Sequence, residues 1–485
     1  MARLSMLLSA LAATSGVTNA TFVKNNATDT CKEIDGNISK ASDVVFPYQI
    51  VSYNEANKHW FASSSNKPAC VVKVASAVDV AVVLQIVGAS RTPFAVYSGG
   101  HASNPGFSST TGVHITLDRL RDVALSEDQE TVKLGFGAAW KDVYKALEPF
   151  GRNVVGGRVI GPGVGGFTLG GGYSWKTNQH GLTCDTVKKY HLVLPNGTIT
   201  TASRQNNQDL FFALKGGLNR FGIVTAAEFY THPQPPKVWG GLRIYASAAV
   251  PRILNATERF AYDNKDARSG LITTLNGDAL GTKAMVLFFH DGPQKPQSFD
   301  MFDGIPTILD NVGRKSFRGL INSFPSYLVQ NVRGAFATVS TSELSGRFLE
   351  AVQKEAKELG RRGVRHGATT ISYDIEPFVA YGQHATESAF PHADSPLPLN
   401  LYFAWLSPAE DEWWHARMRE SVQRLKQIAI EEGIYRDSFT SYPNYAIAGT
   451  TADELYGAGN AARLRSIRDR IDPDRVMDLA GGFSI

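Results

Sequence analysis

The sequence contains little cysteine, no large excess of either positive or negative charge, and no long apolar run after its first 20 residues. Only three of its 485 residues are cysteine, and the formal net charge is +4 without a basic run, so nucleic acid is not an expected partner. No later segment reaches the roughly 20 apolar residues that a membrane-spanning helix needs, so no membrane span is expected. The motifs G-x-S-x-G and H-E-x-x-H are absent, as is a zinc-like spacing of cysteine and histidine, and no metal site is predicted.

The N-terminus is typical of a secretory signal peptide. Residues 1–20 contain an early cation, Arg3, followed by the apolar stretch 4–13 and then by small residues that end at Ala20. That apolar stretch is far too short to cross a bilayer. We therefore expect cleavage after Ala20 and passage of the protein into the secretory pathway.

Cysteine usage and glycosylation motifs agree with secretion. An oxidising compartment favours a disulfide, and we pair Cys31 with Cys70 because both precede the glycine-rich part of the chain. Cys184 lies among apolar residues and is expected to be buried and inert. Four Asn-x-Ser/Thr sequons predict glycosylation at Asn26, Asn37, Asn196 and Asn255.

The chain divides into three parts, and its length allows two substantial domains. Residues 21–236 alternate short strands with helices and end in the stiff, proline-rich stretch 232–236. Residues 237–435 have the pattern of an antiparallel sheet backed by helices, two of which are predicted over 341–359 and 411–432. Residues 436–485 return to a loop-rich style. The fold class predicted is α+β.

Residues 156–172 contain nine glycines, which is more than turns alone require. Within them, 161–166 (GPGVGG) matches the dinucleotide-binding pattern G-x-G-x-x-G, and Asp185 lies where a ribose-binding acid could stand. We reject that interpretation, because 170–172 (GGG) would break a helix at once and Pro162 removes a phosphate-facing N–H.

A second loop of small residues runs over 97–109 (YSGGHASNPGFSS). Consecutive backbone N–H groups in such a loop can converge on an anion, and Ser98 and Ser108 add hydroxyl donors. A pyrophosphate needs this combination of close approach and many donors. His101 alone would be an ordinary loop histidine, but its position directly after Gly-Gly makes it a candidate functional residue.

Together these loops make the chain resemble the vanillyl-alcohol-oxidase and p-cresol-methylhydroxylase flavoprotein superfamily, and more narrowly its berberine-bridge-enzyme-like branch. The resemblance runs in order over nearly the whole mature chain. The matching segments are YSGGHASNPGFSS (97–109), VGGRVIGPGVGGFTLGGGYSWKTNQHGLTCDTV (155–187), DLFFALKGGLNRFGIVT (209–225), ESAFPHAD (387–394), YPNYA (442–446) and LYG (455–457).

The resemblance implies an FAD-binding domain over 21–236, completed by 436–485, and a substrate-binding domain over 237–435. It implies that His101 is bonded covalently to the flavin. The pyrophosphate would be held by Ser98, Gly99, Gly100, Ala102, Ser103, Gly106 and Ser108. The flavin and its ribityl chain would lie along Gly163, Gly165, Gly166, Thr168, Gly171, Gly172 and Tyr173. The adenine end would meet Ile223, and the isoalloxazine would meet Tyr442, Asn444 and Tyr445.

One position departs from the pattern of the branch. Many members attach the flavin a second time through a cysteine that follows Gly-Gly in the second loop. Here that position holds Val159, and Cys184 lies well outside the motif. A single covalent link is therefore expected, which disfavours an oligosaccharide oxidase.

The expected chemistry is hydride transfer from a small alcohol, amine or secondary metabolite to FAD, which O2 then reoxidises to give H2O2. Tyr442 is the first candidate base. Tyr402 is the second, because Asn400 and Tyr402 share the face of a strand opposite its apolar face. Asp374 and Glu376 are weaker candidates, since solvated acids are the commoner outcome.

Several alternatives remain open on the sequence alone. The chain could be a flavin-bound isomerase or cyclase with no net redox change, a carbohydrate oxidase, or a non-catalytic secreted glycoprotein. Aromatic residues in 237–435 favour slightly an aromatic or polyketide-like substrate. A monomer is expected.

Overall fold

The computed structural model describes residues 26–324 and 330–485. The predicted signal peptide, 1–20, lies outside the described residues. Within the described ranges no helix is long and apolar enough to cross a membrane.

Two sheets precede the proline-rich stretch. The first is mixed, with its first pair of strands antiparallel and the others parallel, in the order Asp43–Val45, Cys70–Lys73, Val113–Thr116, Phe94–Tyr97. The second is antiparallel throughout, in the order Val123–Leu125, Thr131–Gly135, Ile223–Tyr230, Val187–Val193, Ile199–Ser203. A short pair, Arg152–Asn153 with His232–Pro233, stands beside them.

Helices lie beside these sheets, and all of them except Ile50–Ala56 and Thr177–His180 share one apolar core with the strands. They are Ala27–Asn37, Ile50–Ala56, Ala77–Ser90, Trp140–Leu147, Val164–Leu169, Thr177–His180 and Gln208–Leu214. The predicted disulfide is confirmed: Cys31 of the first helix bonds Cys70, which begins a strand. Cys184 is free and fully buried, as expected.

A seven-stranded antiparallel sheet follows the proline-rich stretch. Its order is Leu309–Lys315, Val238–Tyr245, Gly281–His290, Ser269–Asp278, Ala368–Ile375, Leu397–Trp405, Arg333–Thr341. The helices Val250–Asp263, Gly346–Gly363 and Asp411–Glu431 pack on one face, where they meet Leu401, Phe403 and Trp405. The short helix Phe317–Ile321 packs instead against the first core.

One helix begins later than predicted. Thr341 ends a strand, and the helix expected over 341–359 starts at Gly346. Ser345 caps it by accepting a hydrogen bond from the Phe348 N–H, which is the usual role of a serine at that position. The long helix after the sheet matches its predicted start at Asp411.

The C-terminal residues return to the first part of the molecule. The helix Ala452–Ile471, which is kinked at Gly457, places Leu455, Leu464 and Ile467 in the core of the first two sheets. The predicted α+β class, with antiparallel sheets and a helix-backed second sheet, is confirmed. The domain limits 21–236, 237–435 and 436–485 stay a prediction that this arrangement supports.

Candidate active site

One cavity of about 580 Å³ lies between the two glycine loops and the uncovered face of the seven-stranded sheet. Most of the predicted site residues line it: Ser98, Gly99, Gly100, His101, Ala102, Ser103, Ser108, Gly163, Gly165, Gly166, Tyr173, Ile223, Tyr402, Tyr442, Asn444 and Tyr445. Four predicted residues do not line it: Gly106, Thr168, Gly171 and Gly172. The structure therefore gathers into one place residues that are hundreds of positions apart in the chain.

The two glycine loops touch each other backbone to backbone. A Cβ atom added to Gly99 would lie 2.3 Å from the Gly163 nitrogen, so a side chain there would force the loops apart. The Ser98 hydroxyl donates to the Phe136 carbonyl and accepts from the Gly165 N–H. The hydroxyl of Ser98 thus joins the loops, and the close contact explains the glycine content.

His101 lies at the wall of the cavity with its ring against Trp60, 4.1 Å between ring centroids. Its Nε2 atom is buried and has no hydrogen-bond partner among the described residues. Burial lowers the pKa of His101 to about 3, so the imidazole is neutral. A neutral imidazole with an unpaired nitrogen is the form that can act as a nucleophile.

The cavity fits the group that the loops imply. The Ser108 hydroxyl, like His101 Nε2, is buried and unpartnered in a residue that lines the cavity. Buried polar atoms in native proteins are nearly always paired, so both indicate an occupant. A Cβ on Gly166 would meet nothing within 4 Å, which leaves its backbone open to the cavity. FAD would supply these partners.

The second glycine loop enters the helix Val164–Leu169, which has only six residues and ends at Gly170. This agrees with rejection of the dinucleotide-binding motif. Gly171 and Gly172 have φ values of 110° and 90°, which residues with a side chain rarely adopt. They therefore shape the loop from behind the cavity wall.

Tyr442, the first candidate base, supports this loop. Its buried hydroxyl oxygen accepts hydrogen bonds from the N–H groups of Gly172 and Tyr173 and from the Asn444 amide, at 3.0, 3.3 and 2.9 Å. Burial nevertheless raises the pKa of Tyr442 to about 12. The geometry thus favours a positioning role for Tyr442 over proton removal at neutral pH.

A different cluster brings acid–base groups together at the cavity. Arg158 donates to both carboxylate oxygens of Glu376 at 2.8 Å, and also donates to the Tyr445 hydroxyl at 2.8 Å. Tyr445 donates in turn to Glu376 over 3.1 Å. Tyr445 thus has an acceptor for its own proton and a cation beside its oxygen. Burial also raises the pKa of Tyr445 well above its usual value, Glu376 raises it further, and Arg158 lowers it only in part.

The expectation of a solvated acid was wrong for Glu376, whereas Asp374 is half-buried. Glu376 is only 3% exposed. Burial raises the pKa of Glu376, and Arg158 offsets this only in part. Burial opposes the charge of Arg158 as well, yet Glu376 and Tyr445 hold the pKa of Arg158 above its usual value. The bidentate contact is that of an ion pair.

Sequence reasoning missed Arg158 altogether. Arg158 stands 218 positions before Glu376 in a stretch noted only for its missing cysteine, and no local pattern connects the two. Val159, next to it, does line the cavity, and no cysteine is among the described residues that line it.

The third element of the site is the polar face of the seven-stranded sheet. Asp374 is half-buried there and accepts hydrogen bonds from Thr274, Ser372 and Asn400. Burial raises the pKa of Asp374, although these donors lower it in part. The apolar face carries Leu401, Phe403 and Trp405 against the helices, so the predicted alternation in this strand is confirmed.

Tyr402, the second candidate base, lines the cavity and packs against Phe61 and Phe336. Burial raises the pKa of Tyr402, and the nearby Asp374 raises it further. Its placement on the cavity face agrees with the prediction.

Comparison with known proteins agrees with the site. Residues 68–203 match the family described as FAD binding domain. The chain is 30% identical over 468 residues to FAD-dependent monooxygenase drtC of Aspergillus calidoustus, covering 92% of this chain and 88% of that protein.

Two solved structures share the fold. Xylooligosaccharide oxidase from Myceliophthora thermophila C1 has a TM-score of 0.76 at 22% identity, covering 95% of this chain and 100% of that one. Berberine bridge enzyme has a TM-score of 0.75 at 18% identity, covering 95% and 99%.

The fold and the cleft define an FAD-dependent oxidoreductase with a two-domain architecture of the p-cresol-methylhydroxylase type. Within that class, the chain belongs to the family of FAD-linked oxidoreductases that includes drtC, and it has the fold of berberine bridge enzyme.

Proposed function

We propose that the protein is a secreted oxidase that carries FAD on His101 through a single covalent bond and oxidises a small alcohol, amine or secondary metabolite. FAD, when bound, accepts the hydride and passes the electrons to O2, which gives H2O2. The observation that carries the proposal is the Arg158–Glu376–Tyr445 cluster, which lines the same cavity as His101.

The residues of the chain have distinct tasks in this proposal. The loops 97–109 and 163–166 hold the cofactor by backbone groups, with Ser108 as a donor. Tyr445 removes the proton of the substrate O–H or N–H after passing its own proton to Glu376, and Arg158 compensates the negative charge that remains. Burial raises the pKa of both Tyr445 and Tyr442. We place Tyr445 before Tyr442 as the candidate base because the Tyr445 hydroxyl donates to the Glu376 carboxylate, whereas the Tyr442 hydroxyl accepts from three N–H donors.

The attachment of FAD to His101 rests on that residue's neutral ring and unpaired Nε2. The single link rests on Val159, which occupies the cavity wall where a second thiol would be needed. Secretion is supported by the N-terminal pattern and by the disulfide. The four sequon asparagines, which we propose are glycosylated, are all exposed: Asn26, Asn37, Asn196 and Asn255.

Oxygen insertion is the second candidate function, because a relative that the chain matches over most of its length is named a monooxygenase. A carbohydrate oxidase is favoured less. The cavity wall carries aromatic and aliphatic groups such as Trp175, Phe336, Ile272 and Met285, which suit a ring compound better than a sugar.

The test is an oxygen-electrode screen of the purified secreted protein against benzylic alcohols, amines and oligosaccharides in water with 18O2. We expect one H2O2 per O2 consumed and a product that has lost two hydrogens without gaining 18O. Incorporation of 18O would establish the monooxygenase instead. Conversion without O2 uptake would contradict the oxidase proposal and favour an isomerase or cyclase.

A further inference from the structure

A second cavity, of about 450 Å³, lies at the edge of the seven-stranded sheet. The edge strand Arg333–Thr341, the helix Asp411–Glu431 and the return segment 439–450 contribute most of its walls. Among the residues that the structure describes, none lines both this cavity and the active site. Small-molecule sites in proteins usually have volumes of about 300–1,000 Å³, so the second cavity can hold a small organic molecule.

The edge strand Arg333–Thr341 directs backbone groups toward this cavity. The Phe336 N–H points away from the sheet and bonds the Ser103 hydroxyl. Because alternate residues of an antiparallel strand direct their backbone groups to the same side, the N–H groups of Thr338 and Ser340 also point away from the sheet. In the described chain no further strand lies at this edge to accept them. They are therefore donors at the cavity wall.

Two hydroxyls of the cavity wall are buried without a partner. Thr338 and Thr440 are 6% and 7% exposed, and neither Oγ1 atom has a hydrogen-bond partner within the described ranges. The Ser340 hydroxyl donates to the Thr440 carbonyl, which joins the strand to the return segment. Buried polar atoms in native proteins are nearly always paired, so the two free hydroxyls indicate an occupant that can bond them.

The charged residues around the second cavity leave it positive. Arg419 and Lys426 stand seven positions apart on one face of the helix Asp411–Glu431, and both line the cavity. Glu454 is the one acidic residue among the described lining residues. Its Oε2 atom already accepts from the N–H and the hydroxyl of Thr451, which caps the last helix. Two cations beside several unused donors favour an anionic occupant.

The remaining walls favour an anion with an apolar body. They are largely apolar or aromatic and include Val339, Val422, Tyr435, Phe439, Ala446 and Ile447. An inorganic anion would leave these walls in contact with water, whereas a ring that carries a carboxylate would cover them.

We infer that the second cavity is a binding site for a small aromatic carboxylate. The hydroxyls of Thr338 and Thr440 and the N–H groups of the strand edge donate to its carboxylate, and Arg419 and Lys426 compensate its charge. The site is separate from the active site. The inference does not depend on the proposed function.

The return segment 439–450 connects the two cavities. Residues 442–445 line the active site, whereas 439–441 and 446–447 line the second cavity. An occupant therefore contacts the segment that carries two tyrosines of the active site. Because a ligand that binds only the folded protein stabilises it, binding should raise the midpoint of thermal denaturation.

The test is calorimetric titration of the purified protein with benzoate, phenylacetate and 2-naphthoate, each beside its neutral amide. At least one acid should bind about 10-fold more tightly than its amide, because hydrogen bonds to an ionised acceptor are roughly twice as strong as neutral ones. Inorganic phosphate, an anion without a ring, should bind more weakly than that acid. Equal binding of acid and amide, phosphate binding as tight as that of the best acid, or no binding of any acid would each overturn the inference.

Variants locate the bound acid. Thr440→Val removes an unpaired hydroxyl at nearly constant shape and should weaken binding about 10-fold. It should not lower the denaturation midpoint of the ligand-free protein, because no hydrogen bond of that hydroxyl is lost. Lys426→Met should weaken binding about threefold, as expected for an exposed charge. Lys354→Met, at an exposed lysine that lines neither cavity, should leave it unchanged.

Unchanged affinity in both Thr440→Val and Lys426→Met would place the acid elsewhere, the active site included, and would contradict the inference. A lower denaturation midpoint of ligand-free Thr440→Val would show that its hydroxyl has a structural role. Lys426 is exposed, so Lys426→Met decides the matter if Thr440→Val does not fold.

Discussion

The two sides of the cavity satisfy their polar groups in opposite ways. On the cofactor side, the loops 97–109 and 156–172 offer backbone groups and unpaired atoms such as His101 Nε2 and Ser108 Oγ. On the substrate side, Asp374 and Glu376 are bonded by side chains of the protein itself. The polar atoms of the cofactor side lack partners that a bound cofactor would supply, whereas the carboxylates of the substrate side are already paired within the protein.

This difference predicts how each side fails. Replacing a side chain whose partner is a ligand should weaken binding of that ligand. Replacing one member of an ion pair or hydrogen-bond network within the protein instead leaves its partner buried and unpaired. Substitutions on the cofactor side should therefore remove the flavin, and those on the substrate side should lower stability or turnover.

The largest effect is expected where the two glycine loops touch. Gly99→Ala would place a Cβ 2.3 Å from the Gly163 nitrogen, so the loops must separate and bound flavin should be lost. The amount of bound flavin is measured as absorbance at flavin wavelengths per mole of purified protein. Gly459→Ala is the control, since its Cβ meets nothing within 4 Å in a helix. Full flavin content in Gly99→Ala would contradict the tight contact.

The second largest effect is expected at the ion pair between Arg158 and Glu376. Arg158→Met leaves Glu376 buried without its cation, which should lower the free energy of unfolding by about 3–5 kcal/mol. Urea denaturation measures the change. The double variant Arg158→Met with Glu376→Gln should recover part of the loss, because no unpaired charge remains. If the single and double variants are equally unstable, the pair is not what stabilises this wall.

Substitution of Tyr445 and of Tyr442 should affect turnover differently. Tyr445→Phe removes the proposed base and should lower kcat by about 10²–10⁴-fold, the usual contribution of a general base. Tyr442→Phe removes an acceptor of loop N–H groups and should affect stability more than kcat. A larger loss of kcat in Tyr442→Phe than in Tyr445→Phe would indicate that Tyr442 is the base, as the sequence first suggested.

The smallest expected effect is on the pH dependence of stability. It concerns His114, which lies behind the first glycine loop. His114 is fully buried, and neither of its ring nitrogens has a hydrogen-bond partner in the part of the chain that the structure describes. Burial lowers its pKa from 6.5 to about 3. The unfolded chain binds a proton near 6.5 and the folded protein only near 3, so stability falls as pH drops through that window and is unaffected above it.

His114→Phe removes this titration. Its free energy of unfolding should fall less steeply than that of the wild type, by up to about 1 kcal/mol per pH unit between pH 6 and 4. Urea unfolding at several pH values measures the slopes. Parallel slopes would show that His114 is solvated or paired in the folded protein.

The same contrast explains what could be predicted from the sequence. The cofactor side is built from contiguous loops, so the positions of His101 and the glycines can be found by their spacing alone. The face of the strand Leu397–Trp405 follows from its alternation. The antiparallel, helix-backed sheet likewise follows from local pattern.

The substrate side could not be predicted in this way. Arg158 and Glu376 meet only because a loop of the first part reaches the end of a strand in the second. No periodicity encodes that meeting, so Glu376 was expected in solvent. The start of the helix at Gly346 was missed because Thr341 continues a strand and Ser345 supplies the cap.

The central claim is that His101 holds FAD covalently, and the absorption spectrum of the purified protein before and after acid precipitation tests it most directly. The account predicts flavin bands that remain with the denatured pellet and disappear from the pellet of His101→Ala. Flavin released wholly into the supernatant, or a protein that stays colourless after incubation with FAD, would contradict it.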